Sequence, residues 1–483
     1  MTSNRLGRSH FRVLRTVAAT SVLALSATVG FGATGPGVAY AGRPVVDPGP
    51  PPSGGSAAPL EATERPANAA CLSTGTGGDG AAVPPAQAAL DLPAAWAFSK
   101  GAGQLIAVID TGVARHPRLP GLIPGGDYVS QGDGTEDCDA HGTLVAGLIA
   151  ATEEPGQGFA GVAPEAQILA IRQQSKLYQR KGAGQDKPPD ALPDAYGSTE
   201  TMARAIVRAA DMGARVINIS EVACKPVGQT LVDRTLGAAI RYAVDEKDVV
   251  IVTAAGNKEG DCKNADTVID PLDPAGDPWD KMKVDVSPAH FDDYVLSVGS
   301  IDANGQPSKF TVPGPWVGVA APGENIVSLD PLFDSPGSRG TVVNTANQQG
   351  QLGPVQGTSF ASPYVAGVAA LVRSRFPELS APEVIKRIEA TAHAPAEGWN
   401  PYIGYGAVDP VAALTAEVPN QLPPKRPSPA KSIQLAVPKA PPPTDNTARN
   451  VALIGTGVIA VLLTLGYLAS FPIRRKLGVH EDR

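Results

Sequence analysis

The sequence has little charge, few aromatic residues and no excess of basic ones. Of its 483 residues, 18% are charged and 5% are aromatic, and the formal net charge is −7. Binding to phosphate backbones needs a basic surface, so nucleic acid is excluded as a leading partner. Hydrophobic residues make up 43% of the chain, which is enough for one large core and excludes a disordered protein.

Cysteine and histidine are also scarce, with four and six copies. The spacings of Cys71, Cys138, Cys224 and Cys262 do not match a paired CxxC zinc site, so neither a metal nor another cofactor is expected. These cysteines lie in the part of the chain that we expect to be exported, where disulfides persist. Two bridges are therefore expected, and four cysteines allow about three connectivities.

An uncharged stretch lies near the N-terminus. Four arginines precede residues 17–41, which end in the small-residue pattern Ala39-Tyr40-Ala41. This layout predicts a secretory signal over residues 1–41. The alternative is an uncleaved anchor helix, which the glycines and the proline inside the stretch disfavour.

A second uncharged stretch, of 21 residues, runs from Val451 to Phe471 and is long enough to span a membrane as a helix. Arg474, Arg475 and Lys476 follow it, whereas Arg449 alone precedes it closely. The positive-inside rule therefore predicts a cytoplasmic tail over residues 472–483 and places the chain before residue 450 outside the cell membrane. The alternative is a buried helix of a soluble domain.

Composition divides the chain between these stretches into three parts. Residues 42–85 are rich in Pro, Gly and Ala, which predicts an extension without a core of its own rather than a folded inhibitory pro-domain. Residues 86–416 alternate strand-like and helical runs, which indicates an α/β domain with a parallel sheet. Residues 417–450 are proline-rich and predict a linker to the membrane helix.

Apolar runs predict five strands in this domain, at Leu105–Ile109, Gln167–Ile171, Val216–Ser220, Val249–Ala254 and Val295–Gly299. Helical patterns predict four helices, at Thr199–Met212, Leu231–Asp245, Ser362–Arg375 and Ala381–Ala392. The last helix opens with the capping box formed by Ser380 and Glu383.

Three separated motifs carry the chemistry of a serine nucleophile. They are VIDTG, DAHGT and GTSFASP, and they place Asp110, His141 and Ser359 in that order along the chain. Peptide-bond hydrolysis by a serine needs a nucleophile, a base and a carboxylate that orients the base. An Asp-Thr-Gly motif also occurs in aspartic proteases, but these need a second copy, which this sequence lacks.

Each motif has a suitable local setting. Asp110 ends an apolar strand, where open α/β folds place their sites. His141 begins the apolar run of a buried helix, and Ser359 stands just ahead of another helix, whose N-terminus favours a developing oxyanion. Asn257 follows the strand VVIVTAAG and is predicted to donate to that oxyanion; a turn-capping asparagine is the alternative.

These motifs resemble the subtilisin family of serine proteases over about residues 86–416. Within that family, the longer matches VIDTGVARHPRL, DCDAHGTLVAGLIAA and VINIS are similar to the mycosins, the membrane-anchored proteases of type VII secretion systems. The resemblance implies a seven-stranded parallel sheet flanked by helices, no catalytic metal and association with a type VII secretion membrane complex. It also implies a substrate that binds extended along Ile217, Asn218, Ile219 and Ser220.

The sequence departs from many subtilisins after this strand. Where they continue with Leu-Gly, this chain has Glu221 and Val222, so the resemblance does not define the specificity pocket. Acidic residues also crowd the approach to His141, at positions 133, 136, 137 and 139. Their spacing does not match an EF-hand, which favours a solvated acidic turn over a calcium loop.

We expect Cys71 to pair with Cys138, which would fix the extension across the catalytic domain close to His141. Cys224 and Cys262 each follow a strand that ends at the catalytic edge, so we expect them to pair and to brace the loops beside Asn257. This second pair also fits the mycosin pattern.

Two functions of different classes are compatible with the sequence. The first is a membrane-anchored, extracytoplasmic serine endopeptidase that processes exported proteins. The second is a structural component that stabilises a secretion membrane complex and for which proteolysis is secondary. A freely secreted degradative enzyme is disfavoured by the predicted membrane helix.

Overall fold

The computed structural model describes residues 43–44, 46, 49–67, 69–76, 80–182, 195–227, 233–265, 276–333, 342–348, 351–419, 421–423, 425 and 445–476. The predicted signal, most of the predicted linker and residues 477–483 of the predicted tail lie outside the described residues. Contacts divide the chain into two units, Met1–Pro429 and Ala430–Arg483, and each is described by itself.

The described strands, in chain order, are β1 Thr63–Glu64, β2 Thr74–Thr76, β3 Leu105–Asp110, β4 Leu122–Asp127, β5 Gln167–Arg172, β6 Gln179–Arg180, β7 Val216–Ile219, β8 Ala223–Pro226, β9 Val250–Ala254, β10 Val284–Ser287, β11 Val295–Ile301, β12 Val317–Pro322, β13 Ser328–Leu329, β14 Val342–Gln348 and β15 Gln351–Pro354. The α-helices are α1 Pro85–Ala88, α2 Leu92–Trp96, α3 His141–Ala150, α4 Thr199–Asp211, α5 Arg234–Arg241, α6 Thr358–Arg375, α7 Ala381–Thr391, α8 Pro410–Thr415 and α9 Thr447–Lys476. A π-helical turn, Tyr242–Glu246, continues α5, and short 3-10 helices lie at Gly260–Cys262 and Pro278–Lys281.

Seven strands form one parallel sheet in the order β12-β11-β9-β7-β3-β5-β4. Its inner strands are near-continuous apolar runs, because helices cover both faces of a parallel sheet and leave no solvated side. Residues 106–110 of β3 and all of β7 and β9 are buried. The expected seven-stranded parallel sheet is thus confirmed, and its carboxyl edge carries the ends of β3, β7 and β9.

The five predicted strands all occur in this sheet, with ends that differ by one or two residues. The prediction missed β4 and β12. β4 has the sequence LIPGGD, whose proline and glycines disfavour a strand, but an edge strand tolerates them. A register shift between Pro124 and Gly126 marks the irregularity that they cause.

Helix α6 begins at Thr358, four residues earlier than predicted, so Ser359 lies in its first turn and not ahead of it. Pro363 lies inside this helix and has no N–H to donate to the carbonyl of Ser359. The hydroxyl of Ser220 donates to that carbonyl instead, over 3.0 Å. A side chain at the end of β7 therefore satisfies the backbone group that the proline leaves open.

Smaller sheets hold the extension against the domain. β1 pairs with β6, and β2 pairs with β14 of the sheet that also contains β13 and β15. Thr63 donates its hydroxyl to the carbonyl of Val129 over 2.6 Å, and Leu72 donates its N–H to that of Cys138 over 2.8 Å. The described part of the extension lies across the catalytic domain, as expected of a segment without its own core.

The second unit contains helix α9. An 18-residue window within residues 447–473 of this helix has a mean hydropathy of 2.2 and is unburied, so the helix is long and apolar enough to cross a membrane. It extends a few residues beyond both ends of the predicted stretch, because Thr447 to Asn450 and Pro472 to Lys476 continue the same helix.

Candidate active site

Asp110 and His141 meet at the carboxyl edge of the sheet. The Asp110 carboxylate is fully buried, and its Oδ1 lies 2.8 Å from His141 Nδ1. The same oxygen accepts the backbone N–H of Thr111 over 2.7 Å. The His141 side chain is 22% exposed. This is the arrangement that a general base needs when a carboxylate fixes its tautomer.

A second buried carboxylate joins the segments that carry these two residues. Asp137 accepts the hydroxyl of Thr111 over 2.9 Å, and it accepts both the N–H and the hydroxyl of Thr143, over 2.8 and 2.6 Å. Thr111 follows Asp110, and Thr143 lies on the first turn of α3 with His141. One carboxylate therefore couples the aspartate loop to the histidine helix.

The interpretation of this segment as a solvated acidic turn was wrong for Asp137 and Asp139, whereas Asp133 and Glu136 are exposed. Asp137 and Asp139 are 6% and 4% exposed. Asp139 accepts the hydroxyl of Ser175 over 2.5 Å and the N–H of Lys176 over 2.8 Å. Burial raises the pKa of Asp137 to about 7, against the lowering effect of its hydrogen bonds to Thr143. The acidic residues stabilise the loops of the site because buried N–H and O–H donors need acceptors.

The glycine after His141 is required by this close packing. A Cβ at Gly142 would lie 2.0 Å from the carbonyl oxygen of Gly112 and 3.1 Å from the Cβ of Asp110. Only glycine lets the start of α3 approach the aspartate loop at this distance. The glycines of the DTG and HGT motifs are thus needed for the backbone contact that brings Asp110 to His141.

Ser359 lies in the first turn of α6, where backbone N–H groups have no partner one turn earlier in the helix. The next residue, Phe360, packs its ring against that of His141, with the ring centroids 5.0 Å apart. A nucleophile placed here would have the positive end of the helix dipole at its own N–H, which favours an oxyanion on a bound carbonyl.

Asn257 lies beside the same turn with its side-chain amide held in one orientation. Its Oδ1 accepts both the N–H and the hydroxyl of Thr358, each over 3.0 Å. Nδ2 consequently points away from Thr358. A Cβ at Gly357 would lie 3.3 Å from Asn257 Nδ2 and 3.0 Å from Ser359 Oγ, so one small space separates the two groups. A carbonyl oxygen that enters this space is within reach of both.

The charges around His141 are uneven. Burial works to lower its pKa, but the carboxylate of Asp110 and then that of Glu221 outweigh it and raise the pKa to about 9. Burial raises the pKa of Glu221, despite the opposing effect of His141. This raised pKa keeps a proton on the imidazole at neutral pH, and the imidazole must lose that proton before it can accept another from a serine.

The predicted substrate strand has no open edge over most of its length. Ile217, Asn218 and Ile219 pair with β3 on one side and with β9 on the other. All three are fully buried. The chain leaves the sheet at Ser220, whose hydroxyl contacts the backbone of Ser359. The paired edges leave Ile217, Asn218 and Ile219 no open strand edge for an extended substrate, so of the four predicted substrate-binding residues only Ser220 lies where the chain leaves the sheet.

Both expected disulfides are present, between Cys71 and Cys138 and between Cys224 and Cys262. The first joins the extension to the segment before His141. The second joins β8, which follows the substrate segment, to the 3-10 helix after Asn257. One crosslink thus lies on each side of the site.

Comparison with known proteins agrees with this geometry. The Subtilase family profile matches residues 101–406. The chain is 47% identical to mycosin-4 of Mycobacterium tuberculosis over 380 residues, which cover 78% of this chain and 79% of that protein. The crystal structure of MycP1 from the ESX-1 type VII secretion system superposes with a TM-score of 0.71 at 46% identity, covering 80% of this chain and 98% of that one.

The chain belongs to the mycosins of the subtilase family. It is therefore a serine endopeptidase. A further neighbour is a chain in the structure of an intact ESX-5 inner membrane complex, with a TM-score of 0.72 and 43% identity; the match covers 89% of this chain and all of that one.

Sequence reasoning overlooked several residues of this mycosin site. The roles of Thr111, Asp137 and Thr143 in joining Asp110 to His141 were not predicted, although Thr111 lies in the VIDTG motif and Thr143 ends the DAHGT motif. The role of Thr358 in orienting Asn257 was also missed. The signal was present in the motifs, whose polar residues beside the nucleophile and base need partners once they are buried.

Proposed function

We propose that this chain is a membrane-anchored, extracytoplasmic endopeptidase that cleaves exported proteins with Asp110, His141 and Ser359 as its catalytic triad. The observation that carries the proposal is the 2.8 Å contact between His141 Nδ1 and Asp110 Oδ1, opposite a serine at a helix N-terminus. Asp110 holds the imidazole with Nε2 towards the cleft. Nε2 removes the proton of Ser359 Oγ as this oxygen attacks the scissile carbonyl, and later donates it to the leaving amine.

The negative charge that develops on the carbonyl oxygen is stabilised by the Ser359 N–H and by Asn257 Nδ2. The amide of Asn257 is preorganised because Thr358 already binds its oxygen. A preorganised donor needs no rearrangement during the reaction, which makes its contribution larger than that of a mobile group.

Substrate comes to the site as an extended segment along Ser220 to Val222. The membrane helix Val451–Phe471 keeps the site near the exit of a secretion complex, and the tail after it stays in the cytoplasm. The support for this association is the similarity to a chain of the ESX-5 inner membrane complex.

The test is to incubate the purified full-length chain, in detergent, with a library of exported proteins and peptides beside its Ser359→Ala variant. We expect cleavage by the wild type and a loss of about 10⁶-fold in kcat for the variant, the size typical of removing a subtilase nucleophile. Equal cleavage by both proteins would overturn the assignment of Ser359. A cysteine placed in residues 477–483 that reacts with a membrane-impermeant reagent in intact cells would overturn the topology.

A second function, as a structural part of a secretion complex, is favoured by the same similarity to an assembled inner membrane complex. Cells that express Ser359→Ala in place of the wild type separate the two roles. Secretion that persists with the variant and stops when the chain is deleted supports the structural role, whereas secretion that stops in both cases makes proteolysis the main one.

A further inference from the structure

Glu221 occupies the first position after the segment that approaches Ser359. Its neighbour Ser220 accepts the side-chain amide of Asn218 over 2.8 Å and donates to the carbonyl of Ser359 over 3.0 Å. This contact fixes the backbone where β7 leaves the sheet. The next side chain, that of Glu221, is half-buried at the edge of the cleft and is not solvated like an ordinary surface carboxylate.

The opposite wall of the cleft follows β5. The backbone N–H groups of Gln173 and Gln174 donate to the carbonyl of Asp110, over 2.8 and 3.4 Å. The backbone N–H of Lys176 donates to the carboxylate of Asp139. Because β3 lies between β5 and β7, these two walls flank Asp110 on either side. Glu221 follows β7 on one wall and Lys176 follows β5 on the other, so both belong to the segments that flank Asp110.

Charges of both signs act on the Glu221 carboxylate. His141 and Lys176 favour its ionised form, whereas burial and the Asp110 carboxylate raise its pKa. Lys176 is exposed, so much of its charge is solvated rather than given to Glu221. A half-buried carboxylate in such a place binds a cation more strongly than a surface carboxylate does, because less water competes for it.

We infer that Glu221 is a specificity-determining residue that selects a lysine or arginine side chain of the substrate close to the scissile bond. The long aliphatic stem of such a residue can pack on apolar surface while its cationic end reaches the carboxylate. Acidic substrate side chains are repelled at the same position by Glu221 and Asp110. This inference rests on the proposed function, because it defines what the same site accepts.

The experiment uses the full-length chain and peptides that differ only at one residue. Lysine, norleucine and glutamate are placed in turn at each of the positions flanking the bond that is cleaved. Norleucine keeps most of the lysine stem and lacks the charge, so the ratio of kcat/KM for the two peptides isolates the ionic contact. At one position we expect the wild type to favour lysine by about 10- to 100-fold, the range for a hydrogen bond to a charged group.

Glu221→Gln should bring this ratio close to one, since the amide keeps the shape and loses the charge. Glu221→Asp should retain part of the preference. Glu136→Gln is the matched control, because it removes an exposed carboxylate only five positions before His141 and should leave the ratio unchanged. An unchanged ratio in Glu221→Gln, or an equal fall in Glu136→Gln, would overturn the inference.

A binding measurement keeps the inference separate from the proposed function. Fluorescence anisotropy of labelled lysine and norleucine peptides with the Ser359→Ala chain, with and without Glu221→Gln, reports selectivity without cleavage. Lysine selectivity that depends on Glu221, together with a wild type that cleaves no peptide, would sink the proposed function and sustain the inference. Cleavage by the wild type without a preference for lysine in either assay would support the proposed function and overturn the inference about Glu221.

Discussion

Asp110 and His141 are held by buried side chains, whereas Ser359 and Asn257 are held mainly by the backbone at the start of a helix. On the acid–base side, Thr111, Thr143 and the carboxylate of Asp137 form a closed network. On the nucleophile side, the supports are the first turn of α6 and the two hydrogen bonds from Thr358 to Asn257.

This difference has a physical consequence. A network of ionisable groups couples the acid–base side to pH and to stability, since each proton changes the charge of a buried group. The nucleophile side offers fixed dipoles, whose strength does not depend on pH in the working range. Substitutions on the first side should therefore alter pH profiles and stability, and those on the second should alter the rate alone.

After the loss of Ser359 itself, the largest effect is expected for Asp110→Asn. The amide cannot hold the imidazole in the tautomer that presents a free Nε2, so kcat should fall by about 10⁴-fold. The pKa of His141 should fall as well, because the Asp110 carboxylate raises it. Steady-state kinetics on a cleaved peptide and NMR titration of His141 measure the two changes. A drop in rate without a change in the histidine titration would break the comparison on this side.

Asn257→Ala should cost about 10²- to 10³-fold in kcat, a magnitude measured on the corresponding type of asparagine in a subtilisin. KM and the pH profile should remain those of the wild type, because a neutral donor is removed. The measurement is a full pH–rate profile of both proteins. Asn400→Ala, which alters an asparagine that binds the backbone of its own turn, is the control.

A shifted pH–rate profile in Asn257→Ala would show that a titrating group acts on the side of the site that contains Ser359 and Asn257. That outcome would point to Glu259, whose carboxylate lies 3.4 Å from Asn257 Nδ2.

A smaller effect on rate, and a larger one on stability, is expected for Asp137→Ala. The substitution leaves the hydroxyl of Thr111 and both donor groups of Thr143 buried without their acceptor, which should cost about 2–3 kcal/mol in the free energy of unfolding. Urea denaturation measures it. Glu136→Ala, on the exposed part of the same segment, should change the free energy of unfolding little.

The isosteric Asp137→Asn variant tests the sign of the pH effect. The pKa of Asp137 is raised from 3.8 to about 7, so the folded state holds a proton that the unfolded state has lost between these values. Its contribution to stability is therefore present at low pH and is lost as the pH rises from about 4 to about 7. The asparagine variant should lack this fall, and an identical pH dependence in both proteins would contradict the network.

Asp137 also illustrates what the sequence could and could not predict. Apolar runs and motif order were enough to predict five central strands, the order of Asp110, His141 and Ser359, and both disulfides, because these depend on local patterns or on a resemblance. The burial of Asp137 depends on Thr111 and Thr143, which come together only after the sheet forms. β4 was missed for a similar reason, since its Pro124 is tolerated only at the sheet edge.

The same limit applies to the start of α6. The helical pattern of the sequence predicted a helix that begins at Ser362. The helix begins earlier because Ser220, from a distant strand, supplies the hydrogen bond that Pro363 cannot. Tertiary contacts of this kind cannot be derived from the local sequence.

The smallest effect, and the sharpest test of the comparison, is expected for Glu221→Gln. The pKa of His141 is about 9, so kcat/KM of the wild type should rise with pH and reach half its maximum at about 9, as the imidazole loses its proton. Glu221 contributes to this value from the substrate segment, after Asp110. Glu221→Gln should therefore move the midpoint to lower pH, by less than Asp110→Asn moves the histidine titration. Lys176→Met should move it to higher pH, because the ammonium opposes the proton on His141.

A neutral norleucine peptide must be used for these profiles, so that selectivity for cationic substrates does not enter. If the midpoint stays in place in both variants, the charges of the cleft do not reach His141, and the acid–base side is isolated from the substrate segment. If the midpoint moves to lower pH in Glu221→Gln and to higher pH in Lys176→Met, as the signs of the two charges require, Glu221 both selects the substrate and sets the pH at which His141 loses its proton.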